Sequence, residues 1–237
     1  MGKHDTEEVH RLLDSVRSWF NQPEEIDLRA RQSGSGLKEP ERRMLRHLLP
    51  ESHVLDAGCA AGRTSIALAR KGHIVTGIDV ADKLIDEAQQ AAAANQVEVT
   101  FQVCDSIKLS FSDATFDAAL SLNTYCYIPT RQTRIAWLEE IARVLRPGGW
   151  LFLSQYIIDD VLGSYDLVRD ENYHRFASAY KTLEQGDGFS VPHKEGGAPM
   201  YMHFFMEADL LDELKSSPFQ MADSFREDTL CYCSLRS

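Results

Sequence analysis

The chain has 237 residues, 43% of them hydrophobic and 26% charged, a balance suited to one large α/β core with small additions. A formal charge of −11 repels phosphate backbones, so nucleic acid is not expected as a partner. No run of about 18 apolar residues is present to span a bilayer, and the charged, amphipathic residues 1–20 do not resemble a signal peptide.

Residues 6–20 place Val9, Leu12, Leu13, Val16 and Phe20 on one helical stripe, stopped by Asn21-Gln22-Pro23. Ser33-Gly34-Ser35-Gly36 then reads as a flexible joint, and Glu39 to Leu49 as a second helix whose Arg42, Arg43 and Arg46 form a solvated face. His53 to Leu55 read as a buried strand closing on Asp56. Small residues 57–62 turn it into a helix carrying Ile66, Leu68 and Ala69 and ending at Gly72. Gly58 and Gly62 can take positive φ and let a ligand lie against bare backbone, where the first amides of the helix are free to donate.

The alternation continues with a strand Ile74 to Asp79, a helix from Asp82 to about Asn95, and a strand Val97 to Val103 followed by Cys104-Asp105. A loop 111–116, a strand Asp117 to Asn123 and a helix from Arg131 to Arg146 follow. Pro147-Gly148-Gly149 ends that helix before a fifth strand, Trp150 to Tyr156. Residues 157–200 break the rhythm with a helix over Val161 to Leu183 and a glycine-rich loop, Gly186-Asp187-Gly188 and Gly196-Gly197-Ala198-Pro199. A helix Glu207 to Ser216 and two strands, Phe219 to Arg226 and Thr229 to Ser234, restore the alternation. Their turn is short enough to require antiparallel pairing. Five scattered cysteines suit reduced thiols in a cytoplasm. Cys231 and Cys233 share one face of the last strand as neighbouring core thiols, and no metal site is expected.

Asp56, Asp79 and Asp105 all close strands, and in an open α/β sheet the ligand crevice lies outside the carboxyl ends, so all three border one cleft. An acid after the second strand suits a ribose, because a carboxylate accepts from both hydroxyls of a diol. A dinucleotide site wants G-x-G-x-x-G, whereas the frame here reads Gly58-x-Ala60-x-x-Arg63 and lacks two of the glycines.

These residues resemble the class I S-adenosylmethionine-dependent methyltransferase family over roughly 40–156 and the tail from 201. Asp56-Ala57-Gly58-Cys59-Ala60-Ala61-Gly62 is similar to its first motif and Gly77-Ile78-Asp79 to its acidic second-strand end. Val103-Cys104-Asp105-Ser106 is similar to its adenine-contacting segment, and Arg143 to Gly149 to the turn before its fifth strand. Ala60 departs from the family's usual glycine.

The resemblance implies a doubly wound, mostly parallel seven-stranded sheet of order 3-2-1-4-5-7-6 with strand 7 antiparallel. The amphipathic start, its glycine joint and the broken alternation divide the chain into an N-terminal helical cap (1–39), a Rossmann-like core (40–156), an insertion (157–200) and a core completion (201–237). The resemblance also implies that Gly58, Cys59, Ala60 and Gly62 approach the methionine and ribose of S-adenosyl-L-methionine. Asp56 would serve the ammonium end, Asp79 with Val80 the ribose, Asp105 with Ser106 the adenine, and Asn123 the region of the transferable methyl. Substrate-side candidates are Tyr125, Tyr127, Tyr173, His174, Tyr201 and His203, with no catalytic residue assigned. The expected activity is methyl transfer to O, N or C of a small molecule by a cytoplasmic monomer or homodimer. The rivals are a non-catalytic binder of the cofactor, a tRNA or protein methyltransferase, and an NAD-dependent oxidoreductase.

A final expectation is positional. The insertion and residues 6–36 cover the cleft, with Tyr165, Tyr173, Phe176, Tyr180 and Phe189 as pocket walls and Gly186, Gly188, Gly196 and Gly197 as hinges.

Overall fold

The computed structural model describes residues 3–159, 176–190 and 199–237. Five strands follow in chain order, β1 (His53–Ala57), β2 (Ile74–Asp79), β3 (Thr100–Val103), β4 (Phe116–Leu122) and β5 (Leu145–Tyr156), with helices between successive strands except for the loop that joins β3 to β4. Two further strands, β6 (Asp187–Ser190) and β7 (Met200–His203), form a separate antiparallel pair. β8 (Gln220–Glu227) and β9 (Leu230–Arg236) close the main sheet. That sheet has seven strands in the order β3-β2-β1-β4-β5-β9-β8, with β9 antiparallel to both of its neighbours. Apart from the separate pair this is the expected topology.

Residues Val54 to Ala57 of β1 are all buried, because parallel strands are covered on both faces. One face packs under α6 (Arg131–Val144) and α7 (Glu207–Lys215), with Leu138, Ile141, Leu210 and Leu214 at its centre. The other face packs under α3 (Glu39–Met44), the 3-10 turn Leu45–His47 and α4 (Arg63–Ala69). α5 (Asp82–Ala94) buries Ile85, Ala88 and Ala92 against Phe101 on the β2–β3 edge and Leu84 against Ala61 and Ala81. Cys231 and Cys233 are core thiols, 3.7 Å apart.

Differences from expectation are local. β3 starts at Thr100 and not at Val97, because it pairs only with Thr76 to Asp79 of β2. α6 stops at Val144 because Leu145 already pairs with Phe116. An unforeseen helix, α2 (Pro23–Gln32), follows α1 (Lys3–Phe20).

Gly186-Asp187-Gly188 is not a loop. Gly186 turns at φ 98°, its carbonyl accepts from the Phe204 amide at 2.8 Å, and Asp187 opens β6. A Cβ on Gly188 would lie 2.6 Å from the Phe204 ring, so both glycines are packed positions and not hinges. Gly196 and Gly197 lie outside the described residues. So does the expected helix as far as residue 175; the described part is helical only to Ala177 and then turns.

Candidate functional site

The carboxyl ends of β1, β2 and β4 open into a cleft of about 410 Å³, within the range of small-molecule sites. Its floor is the β1–α4 turn. Gly58 (φ 85°) and Gly62 (φ 81°) adopt left-handed conformations that cost glycine nothing, and Ala60 adopts one as well, at φ 46°. A Cβ on Gly58 would fall 2.0 Å from Thr124 Oγ1, so this turn and the loop after β4 approach as closely as bare backbone allows.

Asp79 ends β2 against this turn. Its Oδ2 accepts from the Ala60 amide and its Oδ1 from the Ala81 amide, each at 2.9 Å. Burial raises its pKa, and the amides of Ala81 and Ala60 oppose that by stabilising the charge. Each oxygen keeps a lone-pair site beyond these bonds, so a carboxylate held in one orientation can still accept from a diol.

Asp56 is buried at the end of β1. Desolvation lifts its pKa to about 6, although the Ser65 hydroxyl donates to it at 2.6 Å and Arg63 opposes the shift. Cys59 is buried and its thiol is pushed well up, which removes it as a nucleophile.

Asn123 follows β4 at φ 55°. Its amide donates to Ser154 O at 2.8 Å, while its buried Oδ1 has no partner. An orphaned acceptor on a cleft wall is costly unless a ligand supplies the donor. Asp105 and Ser106 line the cleft at its rim, where Arg17 of α1 donates to Asp105 Oδ2 at 3.1 Å. The cleft therefore gathers Asp56, Gly58, Cys59, Ala60, Asp79, Val80, Asp105, Ser106 and Asn123. Gly62, just behind, caps α4 and packs near Phe101 and Ala88.

The substrate-side candidates separate. Tyr127 lines the cleft, its phenol pushed up by burial. Tyr125 is fully buried and donates to Glu213 at 2.6 Å. Tyr201 donates to Asp187 at 2.6 Å, and His203 Nδ1 lies 2.6 Å from the same carboxylate. These three belong to a buried polar network and not to the cleft. Tyr173 and His174 lie outside the described residues, as does Tyr165.

Phe176, Tyr180 and Phe189 do not line the cleft; they pack with Leu12, Val16, Met200 and Tyr201 between α1 and the β6–β7 hairpin. The apolar wall comes instead from Leu13, Val16 and Phe20 of α1 with Tyr127, Ile128 and Trp137.

The sequence reading missed the ion pairs that hold these parts. Arg63, which broke the dinucleotide frame, reaches Glu41 with two bonds (2.6 and 2.8 Å) and Gly36 O at 2.7 Å, fixing the glycine joint to α4. Nothing in its local sequence distinguishes that arginine from a solvated one. Among the described residues no group of three or more His, Cys, Asp or Glu could hold a metal.

Comparison with known proteins agrees with this geometry. Residues 54–149 match the family model described as a methyltransferase domain. A ubiquinone biosynthesis O-methyltransferase of Coxiella burnetii is 33% identical over 151 residues, 63% of this chain; the chain covers 62% of that relative's length. A crystal structure of an S-adenosylmethionine-dependent methyltransferase from Methanosarcina mazei superposes with TM-score 0.69 at 25% identity, over 85% of this chain and 98% of the other. A 1,6-didemethyltoxoflavin N1-methyltransferase from Burkholderia thailandensis, solved with S-adenosylhomocysteine, superposes at 0.64 and 19% identity over 100% of this chain and 91% of its own, and shares the fold. The strand order, the terminal hairpin and the strand-end acids match the fold of S-adenosylmethionine-dependent methyltransferases, and residues 54–149 are similar in sequence to a methyltransferase domain.

Proposed function

We propose that this chain transfers a methyl group from S-adenosyl-L-methionine to an oxygen of a small-molecule acceptor, releasing S-adenosyl-L-homocysteine. The observation that carries the reading is Asp79, whose carboxylate is oriented by two amides and keeps acceptor capacity at the end of β2. The orphaned Asn123 Oδ1 across the cleft supports it, since a ligand must supply its donor.

In this reading Asp79 and Val80 hold the ribose, and Gly58, Cys59, Ala60 and Gly62 shape the floor. Asp56 faces the ammonium, Asp105 and Ser106 flank the adenine, and Asn123 stands near the reacting centre. When bound, the cofactor supplies a methyl carried on a sulfonium, already a good leaving group. The chain's residues then contribute alignment and exclusion of water. Leu13, Val16, Phe20, Ile128 and Trp137 provide the apolar surface for that exclusion.

Oxygen is favoured as the acceptor atom because the matched relatives from Coxiella burnetii and Aspergillus sclerotiorum are O-methyltransferases. The division into a cap (1–39), a core (40–156 and 201–237) and an insertion (157–200) is part of the same reading; the cap faces the acceptor side through α1, and the described part of the insertion packs behind α1. A cytoplasmic location fits the unpaired cysteines, and no described helix is long and apolar enough to cross a membrane.

The experiment is to incubate the protein with methyl-labelled S-adenosylmethionine and a panel of phenols, catechols and hydroxy acids, following labelled product by mass spectrometry. Transfer to an oxygen supports the reading; label appearing only on nitrogen or carbon acceptors in a matched panel contradicts the choice of oxygen.

A further inference from the structure

Behind the cleft runs a buried polar chain that the proposed chemistry does not use. Arg134 of α6 is 1% exposed and is among the largest fully buried side chains. Its Nε donates to Glu213 Oε1 at 2.7 Å, its Nη2 to Glu213 Oε2 at 3.0 Å and to Glu184 at 3.4 Å, and its Nη1 to Ile128 O at 3.4 Å. Glu213, itself buried on α7, also accepts from the Tyr125 hydroxyl at 2.6 Å. Glu184 accepts from the Arg131 amide at 2.7 Å, and its own amide donates to Asp187, where Tyr201 and His203 converge.

Two of these contacts, Tyr125 and Ile128 O, fall on the loop 123–130, whose Asn123, Thr124, Tyr127 and Ile128 line the cleft. That loop is bracketed by two non-glycine residues at positive φ, Asn123 at 55° and Thr130 at 61°. Such conformations persist only where surroundings over-determine them. The surroundings here are Arg134, Glu213 and the Gln155 side chain, whose Oε1 accepts from the Cys126 amide at 3.1 Å.

We propose that Arg134 and Glu213 are positioning residues that set loop 123–130 as one wall of the cofactor and acceptor cleft. A buried ion pair stabilises no more than well-packed apolar residues of the same volume, because desolvation offsets the attraction. What the pair adds is direction: five donors in a fixed fork meet one carboxylate, a carbonyl and a neighbouring acid, which locates the loop relative to α6 and α7. The same chain of bonds reaches the β6–β7 hairpin through Glu184 and Asp187, so the hairpin supporting α1 is referenced to the same point.

Of the three readouts below, only the affinity rests on the proposed cofactor reading. Glu213→Gln and the double variant Arg134→Leu/Glu213→Leu are compared with the wild type by melting temperature, by calorimetric affinity for S-adenosylhomocysteine, and by hydrogen exchange of amides 124–130 without ligand. Glu213→Gln is expected to melt lower, to bind about tenfold more weakly and to exchange faster across 124–130. The double variant is expected to regain most of the melting temperature while the weakened affinity and fast exchange persist.

If affinity and exchange recover with the melting temperature, the pair is structural only and the proposal is overturned. Should either variant fail to fold, Tyr125→Phe removes only the hydroxyl linking Glu213 to the loop. It is expected to speed exchange at 124–130, and unchanged exchange overturns the proposal. A wild type that binds no S-adenosylhomocysteine would contradict the proposed function, while the exchange comparison still decides the positioning role.

Discussion

Ala60 holds φ at 46° in the turn beneath the cleft, a conformation that costs an alanine about 1–2 kcal/mol. Glycine removes that strain but gains freedom in the unfolded chain, so Ala60→Gly is expected to stabilise by about 0.5–1 kcal/mol. The corresponding rise in melting temperature is about 1–4 °C, measurable by scanning calorimetry. Gly58→Ala is expected to do the reverse, because its Cβ would meet Thr124 Oγ1 and force the turn away from the loop that carries Asn123. Asp79 does two things at once. Hydrogen bonds to a charged group are worth about 1.5–3 kcal/mol, so Asp79→Ala should weaken S-adenosylhomocysteine binding by about ten- to a hundredfold. It should also lower the melting temperature, because the Ala60 and Ala81 amides lose their acceptor.

Asp56 makes the site sensitive to pH. With its folded pKa lifted to about 6, above the ordinary carboxylate value, the folded protein holds this proton more tightly than the unfolded chain between about pH 4 and 6. The unliganded protein therefore loses stability from this residue as pH rises through that window. In the proposed placement a cationic ammonium beside Asp56 would favour the ionised form, so affinity is expected to rise from pH 5 to 7 and flatten above, with proton release near pH 6. Calorimetry in buffers of different ionisation enthalpy measures that release. Asp56→Asn should flatten the profile.

At the scale of elements, α1 and the hairpin form one unit over the cleft. Glu8 accepts from the amides of Lys181 and Thr182 and from the Thr182 hydroxyl at 2.8–3.0 Å, while the Tyr201 amide donates to Ser15 Oγ at 3.1 Å. Asn21 and Arg17 tie the end of α1 to Asp82 and Asp105 on the core. If this unit closes over bound cofactor, hydrogen exchange in 21–36 or 186–190 slows when S-adenosylhomocysteine is added. Identical exchange would make it a static cover.

The elements legible in the sequence were those with a buried face. β1 and β2 read as short continuous apolar runs because both of their faces are covered, and α5 carries an apolar stripe because one side must leave water. α2 was not legible because it has no buried residue; Glu25–Arg29 and Asp27–Arg31 pairs run along it in place of an apolar stripe. β6 was hidden by Gly186 and Gly188, which read as loop but serve close packing against Phe204 and His203. The three strand-end acids were visible from position alone. Arg17, Arg63 and Arg134 were not, because an arginine's role is set by the distant carboxylate it meets.

For the whole molecule, the sheet order places every strand-end acid on one edge and sends the closing strand back antiparallel, away from that edge. This edge is expected to hold the nucleoside of S-adenosylmethionine and not a dinucleotide. Titration calorimetry of the wild-type protein with S-adenosylhomocysteine and, separately, with NAD measures it directly. Saturable one-to-one binding of S-adenosylhomocysteine with no saturable heat from NAD is the predicted result; tighter binding of NAD, or none of S-adenosylhomocysteine, would contradict it.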